Sequence, residues 1–214
     1  IYVFNASFLY RRLAEDATRR ESEHDFGRNI LPQLIGHADV HAHRFGASSV
    51  NTVNGVPYWR DVGTLDAYWE ANIDLTRVTP ELNLYDRRWP IRTFQEQLPP
   101  AKFVFDDDVA RGHAMDALVS GGCIVSGATV RRSLLSTNTV VERHSLIEAS
   151  VILPNVEFGR HVTLRHCIID KFCRIPDHFE AGVNLEEDRQ RFEMTERGTV
   201  LVTPEMLGQY IHQF

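Results

Sequence analysis

The sequence predicts an α/β segment followed by a parallel β-helix, and three observations carry that reading. Between Ile124 and about Val183 the chain repeats every seventeen residues: Ile124–Val140, Val141–Glu157, Phe158–Arg174, and a fourth segment opening at Ile175. Apolar columns run through these segments: Ile124, Val141, Phe158 and Ile175; then Val130, Ile147, Leu164 and Ala181; then Leu135, Ile152 and Ile169. Before the repeat, strand-like and helix-like patterns alternate over residues 1–76, as in the tail of an α/β domain.

Anchors spaced six, five and six residues apart suit a three-sided coil. Each side supplies one short strand with one aliphatic residue pointing in, and each junction is a corner. A small residue (Ser133, Ser150, Cys167) stands two places before each third-column anchor. One coil cannot bury its apolar side, so neighbouring coils must stack and share a core. Helical solenoids need longer periods and 3.6-residue patterning, and the chain has neither.

The remaining elements follow in order. Ile1–Phe4 reads as a buried strand, and Ser7 as the cap of a helix running to Ala17. A second helical pattern places Phe26, Ile30, Leu34 and Ile35 on one face. Val40–Phe45 alternates as a strand, and residues 46–57 form a polar loop. Thr64 caps a helix from Leu65 to about Leu75, with Asp66 suited to the positive end of the helix dipole. Residues 77–117 read as a proline-rich connector whose aromatics, Tyr85, Trp89 and Phe94, are expected to pack on something. The β-helix domain is assigned to 118–214. It closes with a short helix over 186–192, a strand at Val200–Val202, and a terminal helix over 204–211 with proline in its first turn.

Composition narrows the function classes. The 214 residues are 43% apolar and 24% charged, which is ordinary for a globular chain. A net charge of −6 argues against a general nucleic-acid or membrane-surface binder. No apolar run reaches the length of a membrane-spanning helix. Cys123, Cys167 and Cys173 lack metal-ligand spacing and read as buried thiols. The chain opens on a strand pattern without methionine or a charged leader, so it is expected to be a fragment that carries no signal peptide.

Asp61 is the sharpest chemical candidate. It lies just before a helix start, where a carboxylate can hold a hard cation or can help to cap the helix. Tyr2 and Phe26 sit in apolar patterns that serve equally as core or as pocket wall. Asp25 precedes a helix and can be a cap or a ligand.

Several strings then go beyond spacing: Ile1-Tyr2-Val3-Phe4, Ser22-Glu23-His24-Asp25-Phe26-Gly27, Tyr58-Trp59-Arg60-Asp61-Val62-Gly63-Thr64, Pro80-Glu81-Leu82, Leu98-Pro99-Pro100-Ala101-Lys102-Phe103 and Leu118-Val119-Ser120-Gly121-Gly122-Cys123. With Glu186-Glu187-Asp188 and Val200-Leu201-Val202-Thr203 they resemble, in order, the C-terminal half of bacterial ADP-glucose pyrophosphorylase (glucose-1-phosphate adenylyltransferase). The resemblance implies a Rossmann-like nucleotidyltransferase domain, of which 1–76 is the tail, followed by a left-handed parallel β-helix. It implies transfer of AMP from ATP to glucose 1-phosphate with Mg2+, in the cytoplasm, by a homotetramer controlled by phosphorylated metabolite effectors. Asp61 falls at the metal-holding aspartate, and Tyr2, Asp25, Phe26 and Trp59 fall in the sugar-phosphate pocket. Lys171 falls where a family arginine contacts effector phosphate, while Pro204 and Gly208 replace basic residues of some relatives. The family's Gly-rich ATP loop precedes Ile1, so the chain alone is expected to be inactive.

Outside that resemblance, His144, His161 and His178 recur at the seventeen-residue period, in the column begun by Gly127. Stacked coils would place them in an outward ladder at about 4.8 Å spacing, either an exposed polar column or a metal site. Two rival classes remain open at this level: a hexapeptide-repeat acyltransferase, and a non-catalytic β-helix assembly or regulatory module.

Overall fold

The computed structural model describes residues 1–47, 56–88, 90–105 and 111–210. These belong to two compact units, Ile1–Ser48 and Ser49–Phe214.

In the first unit, helix α1 spans Ala6–Ala17 and is capped by Asn5, whose side chain accepts from the Phe8 N–H at 3.4 Å. Ser7, the expected cap, instead donates its hydroxyl to Asn5 Oδ1. Asp25 caps the next helical stretch, accepting from the Arg28 N–H at 2.8 Å. That stretch begins as a π-helical turn over Phe26–Ile30 and continues as α2, Leu31–Leu34, with a proline in its first turn. Ile30 and Leu34 are buried as the spacing requires, but Ile35 lies past the helix end and is exposed. Two expected strands do not form. Ile1–Phe4 and Val40–Arg44 are irregular, and Ile1 and Val3 are fully exposed. Their apolar patterns are real, but a strand needs a neighbour for its N–H and C=O groups, and the described part of this unit contains none.

The second unit opens with α3, Leu65–Asp74, where Thr64 Oγ1 accepts from the Ala67 N–H at 3.2 Å, as expected from the sequence. The coils follow. Strands β1 (Lys102–Val104), β2 (His113–Met115) and β3 (Leu118–Val119) make a leading turn. Next come β4 (Ile124–Ser126), β5 (Thr129–Arg131) and β6 (Leu134–Leu135). The third turn is β7 (Val140–Val141), β8 (Leu146–Glu148) and β9 (Val151–Ile152). The fourth is β10 (Glu157–Phe158), β11 (Thr163–Arg165) and β12 (Cys167–Ile169), followed by β13 (Arg174–Ile175) and β14 (Glu180–Ala181). Helix α4 (Leu185–Arg191), β15 (Glu193–Met194) and β16 (Val200–Val202) close the chain. The strands form three sheets, β1-β4-β7-β10-β13, β2-β5-β8-β11-β14 and β3-β6-β9-β12-β16-β15, parallel throughout except for the β15–β16 pair.

The parallel three-sided β-helix is therefore as the repeat predicts, with two corrections. It starts earlier than 118, because β1 pairs with β4 in register Lys102↔Ile124. In the first column the inward residue of the leading repeat is Val125, not Ile124. Ile124 pairs with Val140 and is 38% exposed, whereas Val125 pairs with the buried Val141 and is itself fully buried. The corner between β4 and β5 is one residue shorter than its later counterparts, so a strict seventeen-residue count slips there by one. In a strand, a slip of one turns a side chain to the opposite face.

Elsewhere the columns hold: Val130, Ile147, Leu164 and Ala181, and Leu135, Ile152 and Ile169, are all 0% exposed. The small residues ahead of the third column bind the coils together. Ser133 Oγ accepts from the Ser150 N–H at 3.0 Å, and Ser150 Oγ from the Cys167 N–H at 3.2 Å. All three thiols are free and buried; burial pushes Cys173 up to about 12 and Cys167 higher still, so they stay protonated packing groups. The expected terminal helix is only a 3₁₀ turn, Glu205–Leu207, stopped by Gly208 in the left-handed region at φ 69°; residues 211–214 lie outside the described residues. Tyr85 and Phe94 of the connector are exposed rather than packed, and Trp89 and the Asp106–Asp108 run lie outside the described residues.

Each corner of the coil uses a left-handed residue. At the corner between the first and second sheets these are Gly127, His144, His161 and His178, with φ between 59° and 62°. At the second corner they are Asp116, Arg132, Ala149 and His166; at the third, Gly122, Asn138, Asn155 and Phe172. Non-glycine residues rarely adopt this conformation, and here it recurs because the hydrogen bonds of stacked coils over-determine it.

Candidate functional site

In the first unit, Tyr2 and Phe26 stand together, their rings stacked at 5.6 Å. Tyr2 is 54% exposed, so the pair is a surface feature and not a core. Asp25 spends one oxygen on its helix cap. The turn leading into it is held by a residue that sequence reasoning passed over. Asp16, buried on α1, accepts from the Ser22 hydroxyl at 2.8 Å and is bonded to His24 Nδ1 at 2.8 Å. Those bonds, His24 first, hold the Asp16 carboxyl below the usual carboxylate range. They also pin His24 in the left-handed region at φ 59°, immediately before Asp25.

In the second unit, Trp59 is 70% exposed and Asp61 is exposed. Asp61 does not cap α3, because Thr64 does. Its Oδ1 accepts from the Gly63 N–H at 3.1 Å, a local turn that aims the carboxylate outward. Arg60 is paired with Glu81 at 2.7 Å, tying this loop to the Pro80-Glu81-Leu82 string. Lys171 is exposed at the third corner, beside the left-handed Phe172. Among the described residues no group of three or more His, Cys, Asp or Glu side chains gathers as a metal site. The histidine column forms the expected ladder, with His144–His161 and His161–His178 centroids each 4.8 Å apart and nearly parallel. Rings stacked face to face do not converge their nitrogens on one point, so the ladder is not a chelate.

The seam between α3 and the coils is the most ordered polar arrangement in this unit. Asp66, Trp69, Glu70 and Ile73 share one face of α3 at helical spacing. The Trp69 ring stacks on His166 at 3.9 Å and 8°, and its indole N–H donates to the Ala149 carbonyl at 2.8 Å. Asp66 Oδ1 accepts from both the Thr199 hydroxyl (2.6 Å) and the Thr195 hydroxyl (2.7 Å), which hold its carboxyl below the usual range. His166 Nε2 lies 2.9 Å from Thr199 Oγ1. The Thr199 proton is committed to Asp66, so the neutral histidine donates from Nε2. Desolvation depresses the His166 pKa, with Asp66 and Glu70 opposing and Arg197 reinforcing that shift. Arg197 also pairs with Glu70 at 2.5 Å. A pocket of about 660 Å³ lies along the seam, with Arg60, Arg77 and Arg132 among its lining. The contacts that α3 makes with the coils span 80 to 133 residues; only the spacing on α3 could have hinted at them.

Comparison with known proteins agrees with both parts of this description. Residues 1–78 match the family described as Nucleotidyl transferase, and residues 99–202 the family described as GlmU-like, C-terminal hexapeptide. The chain is 63% identical over 212 residues to the glucose-1-phosphate adenylyltransferase of Methylobacillus flagellatus, covering 99% of the chain and 50% of that protein. It is 60% identical over 213 residues to that of Nitrosomonas europaea, and 54% identical over 213 residues to that of Methylococcus capsulatus, covering 99% of the chain and 49% of each relative. The chain thus spans about half the length of the curated relatives it matches. Along nearly its whole length, then, the chain is similar to about half of each of these glucose-1-phosphate adenylyltransferases.

Proposed function

We propose that the protein containing this chain transfers the adenylyl group of ATP to glucose 1-phosphate, giving ADP-glucose and pyrophosphate for glycogen synthesis. The observation that carries the reading is the 63% identity over 99% of the chain to a glucose-1-phosphate adenylyltransferase. A phosphate oxygen of glucose 1-phosphate attacks the α-phosphorus of ATP in line. The bond to the β-phosphate oxygen breaks, and pyrophosphate leaves with that electron pair. Residues 1–76 contribute to the catalytic domain.

Asp61 is the residue that would hold Mg2+. The ion commonly binds through one or two carboxylates and substrate phosphates while keeping waters. An exposed carboxylate with one oxygen in a local turn and the other open, among the described residues, fits that demand. When bound, the ion offsets charge on the phosphates. Tyr2, Asp25 and Phe26 serve sugar-phosphate binding, the stacked Tyr2 and Phe26 rings offering an apolar wall and Asp25 an acceptor for sugar hydroxyls; Trp59 is assigned to the same substrate by its sequence position. Lys171 binds a phosphorylated effector, and the assembly is a cytoplasmic homotetramer. Among the described residues no helix is long and apolar enough to cross a membrane.

The test is Asp61→Asn in the full-length protein. A neutral amide is a poorer ligand for magnesium, so turnover is expected to fall about a hundredfold or more with thermal unfolding unchanged. Turnover within threefold of the parent would reduce Asp61 to a turn residue.

A further inference from the structure

The shortened corner at Gly127 leaves a recess on the first edge of the β-helix. Gly127 holds the next position of the column without a side chain, so the ladder His178–His161–His144 ends there without a further ring. A pocket of about 440 Å³ opens beside it, lined by Phe105, Ser126, Arg143, His144, Arg160 and His161, with Glu142 at its side. Four observations make this more than a basic surface. Ser126 is only 8% exposed as a residue and lines the pocket, so what it keeps accessible faces the recess. The Arg143 guanidinium lies over the Phe105 ring, 3.5 Å from its centroid, so its direction is already set. Neither the Arg143 nor the Arg160 guanidinium pairs with a carboxylate among the described residues, the Arg160 backbone N–H alone donating to Asp177 Oδ1 at 2.7 Å. On the neighbouring sheet, by contrast, Arg131, Arg132 and Arg165 all lie within 3.8 Å of Glu148. Finally, His144 and His161 are locked by their stack and by their left-handed backbones, forming a rigid wall of ring edges.

We propose that this recess binds a small molecule carrying one phosphoryl group, held by the Ser126 hydroxyl and the Arg143 and Arg160 guanidiniums against the His144–His161 wall. Guanidinium forks and a hydroxyl donor suit phosphate oxygens. Glu142 opposes a second anionic group and offers an acceptor to a ligand hydroxyl. The site lies on a different corner from Lys171 and does not depend on the adenylyl-transfer reading.

The experiment is calorimetric titration of the full-length protein with inorganic phosphate and, separately, with ribose 5-phosphate as a phosphorylated polyol. One class of sites is expected to weaken about tenfold in Arg160→Gln and threefold or more in Ser126→Ala, since each removes a hydrogen bond to a charged group. The same class persists in Lys171→Ala. Arg160 is exposed, so unfolding temperature stays unchanged; Ser126→Ala keeps the test alive if Arg160→Gln misfolds. Equal affinity for both probes identifies free phosphate as the ligand. Tighter binding of ribose 5-phosphate, lost in Glu142→Gln, identifies a phosphorylated polyol. Affinities within twofold of the parent in both Arg160→Gln and Ser126→Ala overturn the site. Loss of catalysis in Asp61→Asn bears on neither outcome, so the two proposals fail separately.

Discussion

His166 and His144 are the same residue type in the same left-handed backbone state, at two corners of one prism, and they live in different chemistry. His144 stacks on another histidine and faces solvent. His166 is covered by Trp69, bonded to Thr199, and has its pKa depressed by burial. The coil dictates the backbone at both places; what lies over the corner decides the rest. The first corner carries nothing over its ladder among the described residues and is open to a ligand, while the second receives α3 and becomes a structural seam. The general lesson is that a repeat generates equivalent positions, and non-repeated segments then make them unequal.

The largest effect that tests this contrast lies beneath both corners, in the shared core. Ile147 is 0% exposed, between Val130 and Leu164 of the flanking coils. Ile147→Asp would place an unpaired charge in that interior, at a cost exceeding the stability a typical domain can lose. Soluble expression is expected to vanish; a folded, soluble variant would mean that the columns do not form the core.

Next is the seam. Trp69→Ala removes a half-buried ring, its stack and one hydrogen bond, and is expected to cost about 3 kcal/mol in denaturant unfolding. A loss below about 1 kcal/mol would mean that α3 is not held by this face.

A smaller effect separates the two histidines by pH. A neutral His166 whose folded pKa lies below its unfolded value of about 6.5 contributes stability that is full above that value. The unfolded chain binds the proton first as pH falls, so the contribution is lost progressively below about 6.5. Unfolding temperature should therefore drop between pH 7.5 and 5.5 in the parent, and the drop should shrink in His166→Asn. An unchanged slope would assign the pH dependence elsewhere.

The smallest effect is at the open corner. His144→Asp, on an exposed position, should alter unfolding free energy by less than about 0.5 kcal/mol. If His144 proved more sensitive than Ile147, the inside and outside of the coil would be reversed.

Much of the fold was legible in the residues because the β-helix is written locally. Each inward aliphatic repeats at a near-constant interval, and each coil pairs with the copy next to it in sequence, so period and burial coincide. The one misplacement, Ile124 for Val125, fell where a corner lost a residue and the interval broke. The cap at Thr64, the short helix α4 and the histidine ladder were readable for the same reason. Ile1–Phe4 and Val40–Phe45 were misread because an apolar alternation states a preference for a strand but not the presence of a partner to pair with. Tertiary structure alone decided three things: that Asp16 braces the turn before Asp25, that α3 lies on the coils through Asp66, Trp69 and Glu70, and that Ser126, Arg143 and Arg160 meet at one recess. Asp16 reaches His24 across only eight residues and Ser126, Arg143 and Arg160 stand seventeen apart, whereas the α3 contacts span 80 to 133; in each case no local pattern encodes which group will satisfy a side chain.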